Sequence, residues 1–68
     1  MKAPVWYSAD AYSGDPLKWL GGTTNRGGNP SMWGEELKRR FPDATYIRVV
    51  EDGSDVIRWQ WATVRGAA

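Results

Sequence analysis

The chain has 68 residues, with nine Lys and Arg against eight Asp and Glu, and a formal charge of +1 excludes binding dominated by a whole-molecule field. It contains no cysteine and no histidine, so disulfides, thiolate metal sites, thiol nucleophiles and imidazole acid–base chemistry are excluded together. A domain of this size buries only about 60% of the surface its unfolded chain exposes, and five tryptophans, three tyrosines and one phenylalanine supply the density such a core needs.

Met1-Lys2-Ala3-Pro4 leads into the chain without an apolar segment of signal or membrane-spanning length, so the expectation is a cytoplasmic protein with no membrane partner. Residues 5–9, Val-Trp-Tyr-Ser-Ala, combine one β-branched and two aromatic side chains behind Pro4 and predict a short strand. Asp15-Pro16 matches a cap followed by proline at the first helical position, and Gly21-Gly22 matches a stop, which predicts one helical turn or a structured loop between them. Residues 21–29 are rich in Gly, Thr and Asn and read as a flexible loop. A phosphate cradle would need Lys and a hydroxyl residue directly after the last glycine, where Asn29-Pro30 stands instead.

The helix carries the strongest pattern. Asn29 before Pro30, or Ser31 one step later, can cap it, and Pro42 ends it. Trp33, Leu37 and Phe41 recur at i, i+4 and i+8 on one stripe, with Met32 at its margin. Glu35, Glu36, Lys38, Arg39 and Arg40 fill the remaining faces, and pairing of Glu35 with Arg39 and of Glu36 with Arg40 accounts for the basic run without a nucleic acid.

Residues 45–50 and 56–64 are β-branched and aromatic around Asp52-Gly53, so a C-terminal hairpin is predicted over about 45–65. A loop of Glu51, Asp52 and Gly53, with Gly53 in a left-handed bulge, pairs Val50 with Ser54 and Ile47 with Ile57. That register sends Ile47, Val49, Ile57, Trp59 and Trp61 toward the helix stripe, and Tyr46, Arg48, Val50, Val56, Arg58 and Gln60 to the opposite face. Gly66, Ala67 and Ala68 form a frayed end. The fold class is therefore α+β: a single small domain over 1–68, one helix on a three-stranded antiparallel sheet in β-α-β-β order, with a long Gly-rich loop before the helix.

The acids Asp10, Asp15, Asp43, Glu51, Asp52 and Asp55 fall in predicted loops and turns, and no two share an element facing a cleft. The stretch from Glu51 to Asp55 lacks the ligand spacing of a calcium loop. The expectation is thus a protein that is not an enzyme, with no cofactor and no metal. Tyr46, Arg48, Arg58 and Gln60 on the open face are the candidate partner-binding residues, since Tyr and Arg are enriched at interface hot spots. A protein partner, met in the manner of an inhibitor or adaptor, is the first reading. Nucleic acid is the second, with Arg26, Lys38, Arg39 and Arg40 as candidate phosphate contacts. Self-association into a homo-oligomer through a free edge or face is the third.

Overall fold

The computed structural model describes residues 5–63. Strand β1 (Trp6–Ser13) and strand β2 (Lys18–Arg26) form one hairpin, helix α1 (Pro30–Arg40) follows, and β3 (Tyr46–Glu51) with β4 (Ile57–Ala62) form a second hairpin. All pairings are antiparallel and the strand order is β2-β1-β3-β4. The α+β class thus stands, but the sheet has four strands where the sequence predicts three.

The added strand is β2, whose residues 18–20 fall in the predicted helical turn or structured loop and whose residues 21–26 fall in the segment read as a flexible loop. Gly21, Gly22, Thr23, Thr24 and Asn25 have weak strand propensity, yet they pair residue for residue with Tyr7 through Ala11. Tertiary pairing overrides propensity here, and the glycines have a packing reason. A Cβ on Gly21 would stand 2.5 Å from the Phe41 ring tip, and one on Gly22 would stand 2.5 Å from the Ala9 carbonyl oxygen. Asp15-Pro16 lies in the tight turn at 14–17 joining β1 to β2 rather than in a helical turn, and Gly14 there has φ of 94°. β1 also runs four residues beyond the predicted 5–9.

The helix begins and ends as its sequence dictates. Asn29 is the N-cap, with extended backbone and no side-chain cap bond, Pro30 opens the first turn, and the Phe41 N–H donates to the Leu37 carbonyl at 2.7 Å. Lys38, Arg39 and Arg40 occupy its last turn, where cations complement the helix dipole. Ion pairs join Lys38 to Glu35 at 3.6 Å and Arg40 to Glu36 at 3.0 Å. The expected pairing of Glu35 with Arg39 gives way to the one with Lys38, whose ammonium also lies 4.8 Å from the Trp61 ring centroid. An i,i+3 partner lets Lys38 satisfy both attractions.

The core is small and made of Ala9, Ala11, Leu37, Ala44, Ile47 and Val49, walled by Tyr7, Trp33, Phe41, Trp59 and Trp61. Two alanines on β1 leave room for the helix to lie close over β1, β3 and β4. Gly34 takes the edge of the Trp59 indole, in space that a Cβ would fill, and the Trp33 Nε1–H donates to the Gly27 carbonyl at 2.9 Å. Large rings thus sit on glycines, where the missing Cβ lets the Phe41, Trp33 and Trp59 rings approach the backbone of Gly21, Gly28 and Gly34.

The register of the second hairpin differs from the predicted one. Ile47 pairs with Trp61, Val49 with Trp59 and Val50 with Ile57, so Arg58 is the extra residue of a β-bulge. Residues 52–56 form the connection: the Ser54 N–H donates to the Glu51 carbonyl at 3.0 Å, the Val56 N–H donates to Ser54 Oγ at 3.1 Å, and Gly53 has φ of 82°. The left-handed glycine was legible, but the Ser54 side chain extends the turn by satisfying a backbone donor that a shorter loop would have paired. In consequence Ile57 belongs to the open face, 43% exposed, while Trp59 and Trp61 stay inward. The predicted strand extension to residue 65 and the frayed end at 66–68 lie outside the described residues.

Candidate functional site

The helix covers one face of the sheet, and among the described residues no element covers the other. Burial of Ala9, Ala11, Ile47 and Val49 fixes which face is inward, and strict alternation then turns Trp6, Ser8, Asp10 and Tyr12 outward beside Tyr46, Arg48 and Val50. The ladder aligns these into rows. Trp19, Tyr12, Tyr46 and Ala62 form one, and Gly22, Asp10, Arg48 and Gln60 form the next. Trp6 and Arg26 stand opposite each other at the far end of β1 and β2.

Three aromatic side chains therefore lie side by side across an open sheet. The Tyr12 and Tyr46 ring centroids are 5.8 Å apart at 40°, a tilted arrangement in the favourable range for aromatic pairs. Trp19 is 63% exposed, and its Nε1–H donates to Asp10 Oδ1 at 3.0 Å, which ties the indole to the face. The Tyr46 hydroxyl donates to Gln60 Oε1 at 3.2 Å.

Arg48 stands in the middle of this arrangement with its charge unpaired. Its guanidinium carbon is 5.7 Å from the Tyr12 ring centroid, and its Nε is buried without a hydrogen-bond partner among the described residues. Asp10 faces it directly across β1 and β3, yet the ion pairs formed do not include the two. Each neighbouring side chain already accepts one hydrogen bond, Asp10 Oδ1 from Trp19 and Gln60 Oε1 from Tyr46. The face of the Tyr12 ring attracts the guanidinium, so stacking holds Arg48 in place without a hydrogen bond to its Nε among the described residues.

Comparison with known proteins gives no match to a family model, to a curated protein or to a solved structure.

Of the residues predicted from sequence, Tyr46, Arg48 and Gln60 come together. Arg58 does not join them: displaced by the bulge, it donates from Nε and Nη2 to Glu51 Oε1 at 3.1 and 2.7 Å rather than stacking on Tyr46. Arg26 ends β2 beside Trp6, at the opposite end of the sheet from Tyr12 and Tyr46. Lys38, Arg39 and Arg40 ride on the helix, across the sheet from Arg48, so one short ligand strand cannot touch both sets. Sequence reasoning missed Tyr12 and Asp10, although the alternation Ser8, Ala9, Asp10, Ala11, Tyr12 carried a strand signal beyond residue 9.

Next to the aromatic row an open cleft of about 700 Å³ is lined by residues that include Ser13, Asp15, Leu17, Thr45, Tyr46 and Thr63. Its hydroxyls and the carboxylate of Asp15 could receive polar groups of a ligand lying over Tyr46. Among the described residues, no group of three or more acidic side chains is placed to hold a metal ion, and no helix is long and apolar enough to cross a membrane.

Proposed function

We propose that this chain is a small non-catalytic module that docks a protein partner on its open sheet face, in the manner of an inhibitor or adaptor. The observation that supports the reading is Arg48: a stacked guanidinium that takes part in no ion pair among the described residues, set beside the aromatic row of Trp19, Tyr12 and Tyr46 on a face that no other described element covers. Arg flanked by Tyr and Trp is the composition of an interface hot spot, and a charge without an ion-pair partner is one that a partner's carboxylate can meet at the terminal guanidinium nitrogens. Exposed Trp6 and Ile57 extend the apolar area around this centre.

The test is Arg48→Met, which keeps the apolar stem and removes the charge. The variant should melt at or slightly above the wild-type temperature, because an orphaned donor is deleted. Its affinity for the partner captured by the wild-type protein should fall by about 1–3 kcal/mol. A protein retained equally by wild type and Arg48→Met would remove the face from consideration. The same pair of proteins, titrated with single- and double-stranded DNA and RNA over a range of salt, separates the nucleic-acid reading. Binding whose salt slope drops by about one unit on losing Arg48 would replace a protein partner with a strand of nucleic acid.

A further inference from the structure

The two edges of the sheet are unequal in charge and in regularity. At one edge, β4 is six residues long, is interrupted by the Arg58 bulge, and has the Arg58 charge matched by Glu51. Short length, a bulge and a charged side chain are the devices by which proteins close an edge to further strands. At the other edge, β2 is nine residues long, and from Gly21 to Arg26 it pairs with β1 without a register shift. This regular stretch spans about 20 Å. Its irregularity, at Leu20, is confined to the end nearest the turn. The helix packs on β1, β3 and β4, and β2 has no proline.

Charge indicates what the edge accepts. β2 carries Lys18 and Arg26 and no acid, and neither cation takes part in an ion pair among the described residues. A second copy pairing its own β2 here would bring two more cations to the seam and no anion, which opposes self-association at this edge. Arg48, on the open face of β3, also takes part in no ion pair among the described residues. We infer that the β2 edge receives an extended acidic segment of the partner as a fifth strand, with main-chain hydrogen bonds along Gly21 to Arg26 and carboxylates reaching Lys18 and Arg26. The inference rests on the protein-binding reading above and names where and with what chemistry the partner engages. The exposed Trp19 at this edge supplies an apolar surface for the added strand to cover.

The experiment is a titration of the full chain with a short synthetic peptide of alternating Thr and Val bearing Glu at each end, and with its counterpart bearing Lys at each end. Amide shifts and hydrogen exchange are followed residue by residue. The Glu-ended peptide should slow exchange along residues 21–26 and leave β4 unchanged, and should bind about tenfold more tightly than the Lys-ended one. In the exposed double variant Lys18→Glu with Arg26→Glu the preference should invert by a similar factor with exchange again slowed along residues 21–26, a localised protection that a misfolded protein cannot give. Equal binding of the two peptides, no binding of either, or protection on β4 would overturn the inference. So would concentration-dependent protection of β2 without peptide, which would mean self-pairing. If the peptides leave β2 unchanged while Arg48→Met still loses the captured partner, the edge fails and the face stands.

Discussion

The hairpin of β3 and β4 presses Ile47, Val49, Trp59 and Trp61 against the core, whereas that of β1 and β2 offers two alanines, the half-buried Tyr7 and, through Phe41, a glycine. Each hairpin contains one register shift, yet one supplies most of the apolar bulk of the core and the other the thin wall that lets the helix come close. On the open face the contribution is reversed. There the first hairpin brings Trp6, Trp19 and Tyr12, while the second brings Tyr46, Arg48 and Ile57. Stability and recognition are thus distributed over the same four strands by the side-chain alternation of each strand.

The sharpest way to break this comparison uses one tryptophan from each hairpin. Trp59→Ala should destabilise by about 3–5 kcal/mol, since it empties the space against Gly34, while Trp19→Ala should stay within about 0.5 kcal/mol because its ring is largely in solvent. Thermal and denaturant melts decide it, and comparable losses would mean that Trp19 helps to hold the fold. A smaller contrast sharpens the register. Ile47→Ala should cost about 2–5 kcal/mol and Ile57→Ala under about 1 kcal/mol, as one side chain is fully buried and the other is on the open face. A large loss at Ile57 in the same melts would restore the shorter hairpin loop. The smallest effect concerns two glycines. Gly53 and Gly27 both have positive φ, 82° and 71°, and open space where a Cβ would go. Gly53→Ala and Gly27→Ala should therefore each cost about 1 kcal/mol, and a Gly27 variant as stable as wild type would mean that the backbone there rearranges freely.

The sequence was most legible where periodicity and chemistry agreed. Trp33, Leu37 and Phe41 at helical spacing, bounded by Asn29-Pro30 and Pro42, define α1 to within a residue, and the inward set Ile47, Val49, Trp59 and Trp61 follows from period-two patterning. β2 was illegible because its strand character does not reside in its own side chains. Gly21 and Gly22 are there to admit Phe41 and the β1 backbone, a requirement visible only once the partner is in place. Half of the candidate site went with it, since Trp19 and the outward turn of Tyr12 depend on that hairpin. Arg58 was assigned to the face because the bulge that displaces it depends on Ser54 capturing the Val56 N–H, one hydrogen bond that moves the register.

The seam between β1 and β3 sets the order in which contacts can be made. Each hairpin closes a loop of a few residues, a step that takes about 1–10 μs for such elements. Pairing Tyr7 with Glu51 and Tyr12 with Tyr46, in contrast, joins strands from opposite ends of the chain and encloses both β2 and α1 in the loop so formed. The entropy of closing that loop falls on the seam alone. It is met by contacts that only the closed loop creates, those of Ala9 with Val49 and of Ala11 with Ile47 beneath Leu37.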